Sequence, residues 1–278
     1  MGKQVQVEKA DKQEMIHPSN LIIAWMQYFF AACHRMDHGV HSPFVFDFIT
    51  SVLRDRKWYE AYGKAEKYRK SLLQNKSRIA VTDFGAGSKV DYARMRSVSD
   101  IVRHAAVNRK FGRLLYRIAQ HYKPQQIIEL GTSLGIGTHY LALGNPDAAL
   151  ITVEADPVLA AIASENLLNH QIMNVRVIRD TFDRVLSSLL PPLPGKTLVF
   201  IDGNHSKPAT LKYADFFLSA LPEDSLIVLD DINWSEGMRL AWKEIRGNKK
   251  STLTVDLFRM GIVFLKRDFF KENYTVRF

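Results

Sequence analysis

Carboxylates end two of the short apolar runs in the second half of the chain. The run Leu198–Asp202 ends in one acid, and the run Ser225–Asp230 ends in another, which Asp231 follows. Three acids at one place repel each other and need a cation, a proton or a basic partner. A hard divalent ion such as Mg²⁺ takes carboxylate and water oxygens and can acidify a bound hydroxyl. We therefore predict Asp202, Asp230 and Asp231 as metal ligands, with helix capping by Asp231 as the alternative.

A glycine-rich segment, Glu129-Leu-Gly-Thr-Ser-Leu-Gly135, follows the apolar run that begins at Gln126. Glycines let the backbone turn sharply and approach a ligand, and free N–H groups of a following helix would lie nearby. A carboxylate about 20 residues further on, Glu154, can accept hydrogen bonds from both hydroxyls of a ribose. The pattern predicts a nucleotide site, and an ordinary strand-to-helix turn is the alternative. The glycine spacing departs from the G-x-G-x-x-G pattern of dinucleotide sites.

The elements that must position these residues alternate regularly after residue 125. Short runs rich in Ile and Val alternate with amphipathic stretches, which predicts right-handed βαβ units and an α/β fold with helices on both faces of a parallel sheet. The last two runs, Thr252–Met260 and Gly261–Lys266, have almost no connector and predict an antiparallel pair. The predicted strands are Gln126–Leu130, Leu150–Glu154, Val175–Ile178, Leu198–Asp202 and Ser225–Asp230, followed by that pair.

The first part of the chain does not show this alternation of short apolar runs and amphipathic stretches. We predict a flexible tail over residues 1–17, a mostly helical cap region over 18–110, and a nucleotide-binding domain over 111–278. Ser19 and Asn20 can cap the first helix. The predicted helices are Leu21–Cys33, Phe44–Leu53, Trp58–Leu73, Val98–Ala106 and Phe111–His121.

Residues 126–266 resemble the class I S-adenosylmethionine-dependent methyltransferases. Within that superfamily they are similar to small-molecule O-methyltransferases of the catechol and caffeoyl-CoA type and their bacterial relatives. The segment ELGTSLGIGTHYLAL is similar to the family's first motif, and ITVEADPVLAAIASENL to its second strand and helix. The resemblance implies a doubly wound, seven-stranded Rossmann-like sheet of order 3-2-1-4-5-7-6 with the last strand antiparallel. It also implies methyl transfer to a hydroxyl oxygen of a small molecule, with possible help from Mg²⁺ or another divalent cation.

The resemblance assigns roles to individual residues. Glu129 and Gly131 would lie near the methionine part of the cofactor, Glu154 at the ribose, and Asp180 with Thr181 near the adenine, although Arg179 stands where the family usually has glycine. The predicted catalytic residues are His205 and Asp202. His205, three positions after Asp202, matches a basic catalytic residue, and an imidazole is suited to taking a hydroxyl proton. Asp231 replaces the more usual asparagine. The predicted cofactor-binding residues are Glu129, Gly131, Thr132, Ser133, Gly135, Glu154, Ala155, Asp180, Thr181 and Asp202.

Charge and composition leave several partners open. The net charge of +9 is concentrated in residues 1–110, which hold 19 Lys/Arg and 11 Asp/Glu. Such a basic region can attract nucleic acid, so a nucleic-acid methyltransferase is an alternative, as is a non-catalytic cofactor-binding protein. The single cysteine, Cys33, and the polar first residues favour a reducing, cytoplasmic location. No apolar run is long enough to span a bilayer, and a homodimer is possible.

Two further motifs, a second glycine run and a histidine group, could also bind a ligand. The run Asp83-Phe-Gly-Ala-Gly-Ser88 is a rival glycine turn or a loop that folds over the cofactor, and a plain surface turn is the alternative. His34, His38 and His41 with Asp37 have the spacing of a metal cluster, but Gly39 and Pro43 favour a helix end there.

Overall fold

The computed structural model describes residues 18–32, 42–82, 94–188, 193, 195–266 and 270–278. The predicted tail over 1–17, the His34–His41 group and the glycine run Asp83–Ser88 lie outside these residues.

Helices dominate the chain up to residue 122. Ser97 and Asn108 cap two of them by accepting from the backbone N–H groups of Asp100 and Phe111, both at 3.1 Å. The first helix begins at Pro18, before the predicted cap at Ser19 and Asn20. The elements are α1 (Pro18–Ala31), α2 (Pro43–Asp47), a π-helix (Phe48–Leu53), α3 (Glu60–Gln74), β1 (Arg78–Val81), β2 (Arg94–Ser97), α4 (Val98–Ala105) and α5 (Arg109–Tyr122).

Strands and helices alternate from residue 126 onwards, as predicted. The strands are β3 (Gln126–Leu130), β4 (Ala149–Glu154), β5 (Val175–Arg179), β6 (Thr197–Ile201), β7 (Leu226–Leu229), β8 (Leu253–Asp256), β9 (Gly261–Phe264) and β10 (Glu272–Thr275). The helices are α6 (Ile136–Gly144), α7 (Pro157–Asn169), α8 (Phe182–Ser188), α9 (Lys207–Ala220) and α10 (Glu236–Gly247).

The main sheet has the order β5-β4-β3-β6-β7-β9-β8-β10. Counted from β3, this is the predicted order 3-2-1-4-5-7-6, and β9 runs antiparallel to both of its neighbours, as expected of the terminal hairpin. The prediction of seven strands missed β10, which pairs in parallel with β8. Its sequence, Glu-Asn-Tyr-Thr, lacks the apolar run by which the other strands were recognised.

The central strands are buried on both faces, which explains their continuous apolar sequences. Successive side chains of a strand point to opposite faces. Accordingly, Ile127 of β3 lies in a core shared with α3, α5 and α6, whereas Ile128 packs with α8, α9 and α10. Tyr62 and Tyr68 of α3 belong to the first of these cores. The domain boundary near residue 110 remains a prediction.

Helix α1 packs against the last residues of the chain. The Tyr28 hydroxyl donates to the carbonyl oxygen of Val276 at 2.5 Å, and the Arg277 guanidinium donates to the carbonyl oxygen of Phe29 and stacks over its ring. Several apolar side chains of α1 remain exposed on its outer side, including Ile22 and Phe30. Among the described residues, no helix is long and apolar enough to cross a bilayer.

Candidate active site

The predicted site residues from four strands meet at the carboxyl edge of the sheet. Strands β3, β4, β6 and β7 are parallel neighbours, so their carboxyl ends lie side by side. Hydrogen bonds extend this alignment past the strand ends, because the backbone N–H of Asp202 donates to Leu130 at 2.8 Å and that of Asp230 donates to Ile201 at 3.0 Å. This edge is where open α/β sheets bind their ligands.

The glycine turn after β3 is shaped by a close approach to β6. Gly131 has a φ of +109°, and a Cβ placed there would lie 2.0 Å from the carbonyl oxygen of Asp202. Only glycine fits such a position without moving the backbone. Gly135 also has a positive φ, of 78°, directly before α6 begins. The sequence therefore specifies a tight turn that brings the backbone of the nucleotide motif against Asp202.

Glu129 lies beneath this turn and is almost completely buried. Its Oε2 accepts hydrogen bonds from the Thr138 hydroxyl at 2.5 Å and the Thr152 hydroxyl at 2.6 Å, and the Thr132 and Thr152 hydroxyls lie 2.5 Å apart. Burial raises the pKa of Glu129 to about 7, against the lowering effect of the two hydroxyl donors. Glu129 thus ties together β3, α6 and β4 below the turn. The predicted contact with the methionine moiety remains a prediction.

Glu154, at the end of β4, curls back onto the glycine turn. Its Oε2 accepts from the backbone N–H of Ser133 at 2.8 Å, and its Oε1 accepts from the backbone N–H of Asp156 at 2.9 Å. Burial raises the pKa of Glu154. Ser133 has a φ of 48°, and its buried Oγ has no hydrogen-bond partner among the described residues. A hydrogen bond therefore joins Glu154 to the glycine turn at Ser133, and Ala155 follows Glu154 in the chain.

Asp180 and Thr181 lie after β5, and their contacts are local. The Thr181 N–H donates to Asp180 Oδ1 at 2.7 Å, and the Thr181 carbonyl oxygen accepts from Val185 at 3.1 Å. Arg184 lies 3.5 Å from Asp180 Oδ2. These bonds begin helix α8, and the adenine role stays a prediction.

Asp202 and His205 lie together after β6. His205 Nε2 is 3.8 Å from Asp202 Oδ1, and the two side chains are 26% and 17% exposed, so a ligand at the edge can reach both. Burial, together with the charges of Asp230 and Asp231, raises the pKa of Asp202 well above its ordinary value. The structure thus brings the predicted base and its acidic neighbour together beside the glycine turn.

The acids after β7 have a basic partner that the sequence analysis did not identify. Arg259 Nε donates to Asp230 Oδ1 at 3.0 Å and Nη2 donates to Oδ2 at 2.8 Å, so both oxygens of Asp230 are bound. Arg259 Nε also lies 3.3 Å from Asp231 Oδ1. Burial works to lower the pKa of Arg259, but its hydrogen bonds to Asp230 and the surrounding acids outweigh this and raise it.

A divalent cation does not fit this arrangement. The Arg259 guanidinium is bound to both oxygens of Asp230 and lies 3.3 Å from Asp231, so it puts a positive charge beside the oxygens that an ion would need as ligands. In the part of the chain that the structure describes, no three His, Cys, Asp or Glu side chains are grouped to hold a metal ion. The expectation that Asp202, Asp230 and Asp231 form a metal site is thus not met by the geometry, because a basic side chain is the counter-charge.

The register of the terminal hairpin explains why Arg259 is the partner of these acids. The antiparallel register places Gly261 opposite both Asp256 and Leu229, so the turn between β8 and β9 must lie at the carboxyl end of β7. A cationic residue in that turn therefore comes close to the acids after β7.

The sheet order, the glycine turn after the first central strand and the acid after the second define a Rossmann-like fold. Residues 128–232 match the family model described as a methyltransferase domain. A catechol O-methyltransferase from Niastella koreensis is 31% identical over 124 residues, which are 44% of this chain and 55% of that protein. The chain therefore spans about half the length of this curated relative.

Solved structures show the same fold. The O-methyltransferase TomG from Streptomyces achromogenes, solved in complex with SAM, is 19% identical with a TM-score of 0.53, covering 80% of this chain and 96% of that chain. The SAH-bound methyltransferase PaMTH1 from Podospora anserina is 14% identical with a TM-score of 0.55, covering 81% and 97%. The predicted resemblance to O-methyltransferases is confirmed by the domain match and by the catechol O-methyltransferase relative, and the solved structures show the fold.

Proposed function

We propose that this protein transfers a methyl group from S-adenosylmethionine to a hydroxyl oxygen of a small molecule. The observation that carries the proposal is the contact of the glycine turn with Asp202, which places a nucleotide-type turn and a His–Asp pair at one edge of the sheet. The methyltransferase domain match and the catechol O-methyltransferase relative support the reaction class.

The cofactor would bind across the ends of β3 and β4. Glu154 is held by two backbone N–H groups, which leaves lone pairs on its oxygens for the two ribose hydroxyls. The Ser133 Oγ, buried without a partner among the described residues, would bond the cofactor from the same turn. Glu129 would act as a positioning residue under the turn, and Asp180 with Thr181 would border the adenine.

The acceptor would bind beside Asp202 and His205. S-adenosylmethionine supplies a methyl group on a positively charged sulfur. The acceptor oxygen would form its bond to the methyl carbon as the carbon–sulfur bond breaks and the electron pair stays on sulfur, which gives S-adenosylhomocysteine. The His205 imidazole would take the proton of the acceptor hydroxyl. Asp202 would hold the imidazole in place. Alignment of two reactants in one site contributes roughly 7–11 kcal/mol to such reactions.

Two partners and one location from the sequence analysis stay predictions. They are a nucleic-acid acceptor for the basic first part of the chain, a homodimer, and the cytoplasmic location. A small hydroxylated acceptor is favoured because the curated relative is a catechol O-methyltransferase.

Calorimetric titration with S-adenosylmethionine, S-adenosylhomocysteine and NAD tests the cofactor assignment. We expect binding of the first two and none of NAD. Glu154→Ala should weaken binding about 100-fold, since it removes two hydrogen bonds to a charged group. Glu165→Ala, on the exposed face of α7, is the matched control and should bind as the unaltered protein does. Unchanged binding in Glu154→Ala would remove the ribose assignment.

Turnover on catechol and a panel of phenols tests the catalytic assignment. The release of S-adenosylhomocysteine is measured for the unaltered protein, for His205→Gln and for the exposed control His104→Gln. Loss of a general base should lower the rate about 10²–10⁴-fold without changing cofactor affinity. An equal rate in His205→Gln and His104→Gln would show that His205 is not the base.

A further inference from the structure

The turn between β8 and β9 is fixed against the loop that follows β7. The backbone N–H of Ile232 donates to the carbonyl oxygen of Arg259 at 3.0 Å, and Asn233 Nδ2 donates to that of Phe258 at 2.6 Å. Phe258 has a φ of 67°, and its N–H donates to Asp256 Oδ1 at 2.8 Å. Arg259 is therefore presented to the acids by a turn that is itself hydrogen-bonded to their loop.

The guanidinium of Arg259 meets the acids in a geometry that a single ion pair would not give. Two parallel N–H groups bind the two oxygens of Asp230, whose side chain is 0% exposed. Such fork-to-fork pairs are among the strongest charge-assisted hydrogen bonds in proteins. The same Nε reaches Asp231, and the Phe111 ring centroid lies 5.7 Å from the guanidinium carbon. The cation is thus held from several sides.

This position is the one that a bound metal ion would require. A divalent ion held by Asp230 and Asp231 would have to displace the guanidinium or bind next to its positive charge. A buried carboxylate stripped of its partner is costly, so the pair does not open readily.

We propose that Arg259 is the built-in cation of the acceptor end of the site, so that methyl transfer here requires no divalent metal. The proposal rests on the proposed function for the reaction itself, but the occupancy of the acidic cluster by Arg259 is independent of it. Arg259 would be a positioning residue that keeps Asp230 and Asp231 in place next to Asp202.

Metal titration tests the occupancy of the acidic cluster by Arg259 separately from the proposed reaction, because it needs no turnover. Mg²⁺ and Mn²⁺ are titrated calorimetrically into the full chain, into Arg259→Ala and into the control Arg246→Ala, which removes a cation that lies 3.8 Å from Asp256 instead. We expect no metal binding at millimolar concentrations in the unaltered protein and the control. In Arg259→Ala, Mn²⁺ should bind at least about tenfold more tightly, because the repulsion is gone and the acids are exposed to the ion.

Stoichiometric metal binding by the unaltered protein, lost in Asp230→Asn, would overturn the proposal, as would the absence of any gain in Arg259→Ala. If Arg259→Ala does not fold, Arg259→Gln keeps most of the side-chain volume and is titrated in its place. S-adenosylhomocysteine release in the presence of EDTA is measured in parallel. Release that stops with EDTA contradicts a metal-free reaction, whereas failure to bind S-adenosylmethionine at all would contradict only the proposed function.

Discussion

The carboxylates at the two halves of the sheet edge are held by different kinds of hydrogen-bond partner. On the cofactor side, Glu129 and Glu154 accept hydrogen bonds from hydroxyl and backbone N–H groups, which carry no charge. On the acceptor side, Asp230 is bound at both oxygens by the guanidinium of Arg259.

The difference teaches which half can receive a cationic ligand. Neutral donors satisfy the lone pairs of a carboxylate but add no positive charge, so a sulfonium group would stabilise the ionised forms of Glu129 and Glu154, whose pKa values burial raises. A guanidinium cancels the charge of its partner and repels further cations. Among the described residues, the cofactor side thus holds its carboxylates with uncharged donors, whereas the acceptor side holds Arg259 among three acids.

Removal of Arg259 should have the largest effect on stability. Arg259→Ala leaves Asp230 buried without a counter-charge, and breaking such a pair costs about 3–5 kcal/mol. Urea unfolding measures the loss. The double variant Asp230→Asn with Arg259→Ala should recover most of it, whereas Arg239→Ala, which breaks an exposed pair with Glu236, should cost less than about 1 kcal/mol. A loss in the double variant as large as in Arg259→Ala would contradict the pairing.

Glu129, on the cofactor side of the sheet edge, should make the stability of the protein depend on pH. Its pKa is raised to about 7 in the folded protein from an ordinary value of 4.5. Its favourable contribution to the free energy of unfolding is complete below pH 4.5 and is lost as the pH rises through 7. The unfolding free energy of Glu129→Gln relative to the unaltered protein should therefore rise by roughly 3 kcal/mol between pH 4.5 and pH 8. A difference that does not vary with pH would show that Glu129 titrates normally.

Thr138 should matter mainly when Glu129 is ionised. Thr138→Val removes the hydroxyl that donates to Glu129 Oε2, and hydrogen bonds to charged groups contribute about 1.5–3 kcal/mol. We expect a loss of about 2 kcal/mol at pH 8 and a smaller loss at pH 5. Thermal unfolding at the two pH values tests this. The control is Thr50→Val, which removes an exposed hydroxyl that donates to the carbonyl oxygen of Phe46.

Ser133 should affect ligand affinity rather than stability. Because its buried Oγ has no partner among the described residues, Ser133→Ala removes no hydrogen bond of the unliganded protein. S-adenosylhomocysteine should bind about tenfold more weakly, as expected for one lost hydrogen bond. A stability loss with unchanged affinity would show that the hydroxyl serves the fold.

Much of the fold could be predicted because the period of the apolar residues is specific. Runs such as Gln126–Leu130 and Leu198–Asp202 are buried on both faces of the sheet, so their apolar content alone indicates a central parallel strand. β10 could not be found in this way, since an edge strand of four residues containing Glu272 and Asn273 carries no such signal. Its pairing depends on β8, 19 residues earlier in register.

The acids of the site could be predicted from the sequence, but their basic partner could not. Glu154, Asp202 and Asp230 follow directly from strand ends, which the apolar runs locate. The alternative of a basic partner for the acids was open from their charges, but the identity of that partner depends on the register of β9 against β7, which the sequence does not state. Arg259, 29 positions after Asp230, becomes a neighbour only through that register.

The hydrogen bonds that join α1 to Val276 and Arg277 have a consequence for the order of folding during synthesis. Tyr28 and its partner Val276 are separated by 248 residues, so a ribosome adding about 5–20 residues per second needs roughly 12–50 s to reach the second after making the first. Throughout that interval α1 has no C-terminal segment to dock on. Its attachment should therefore be one of the last steps of folding, after the nascent chain has assembled the central strands.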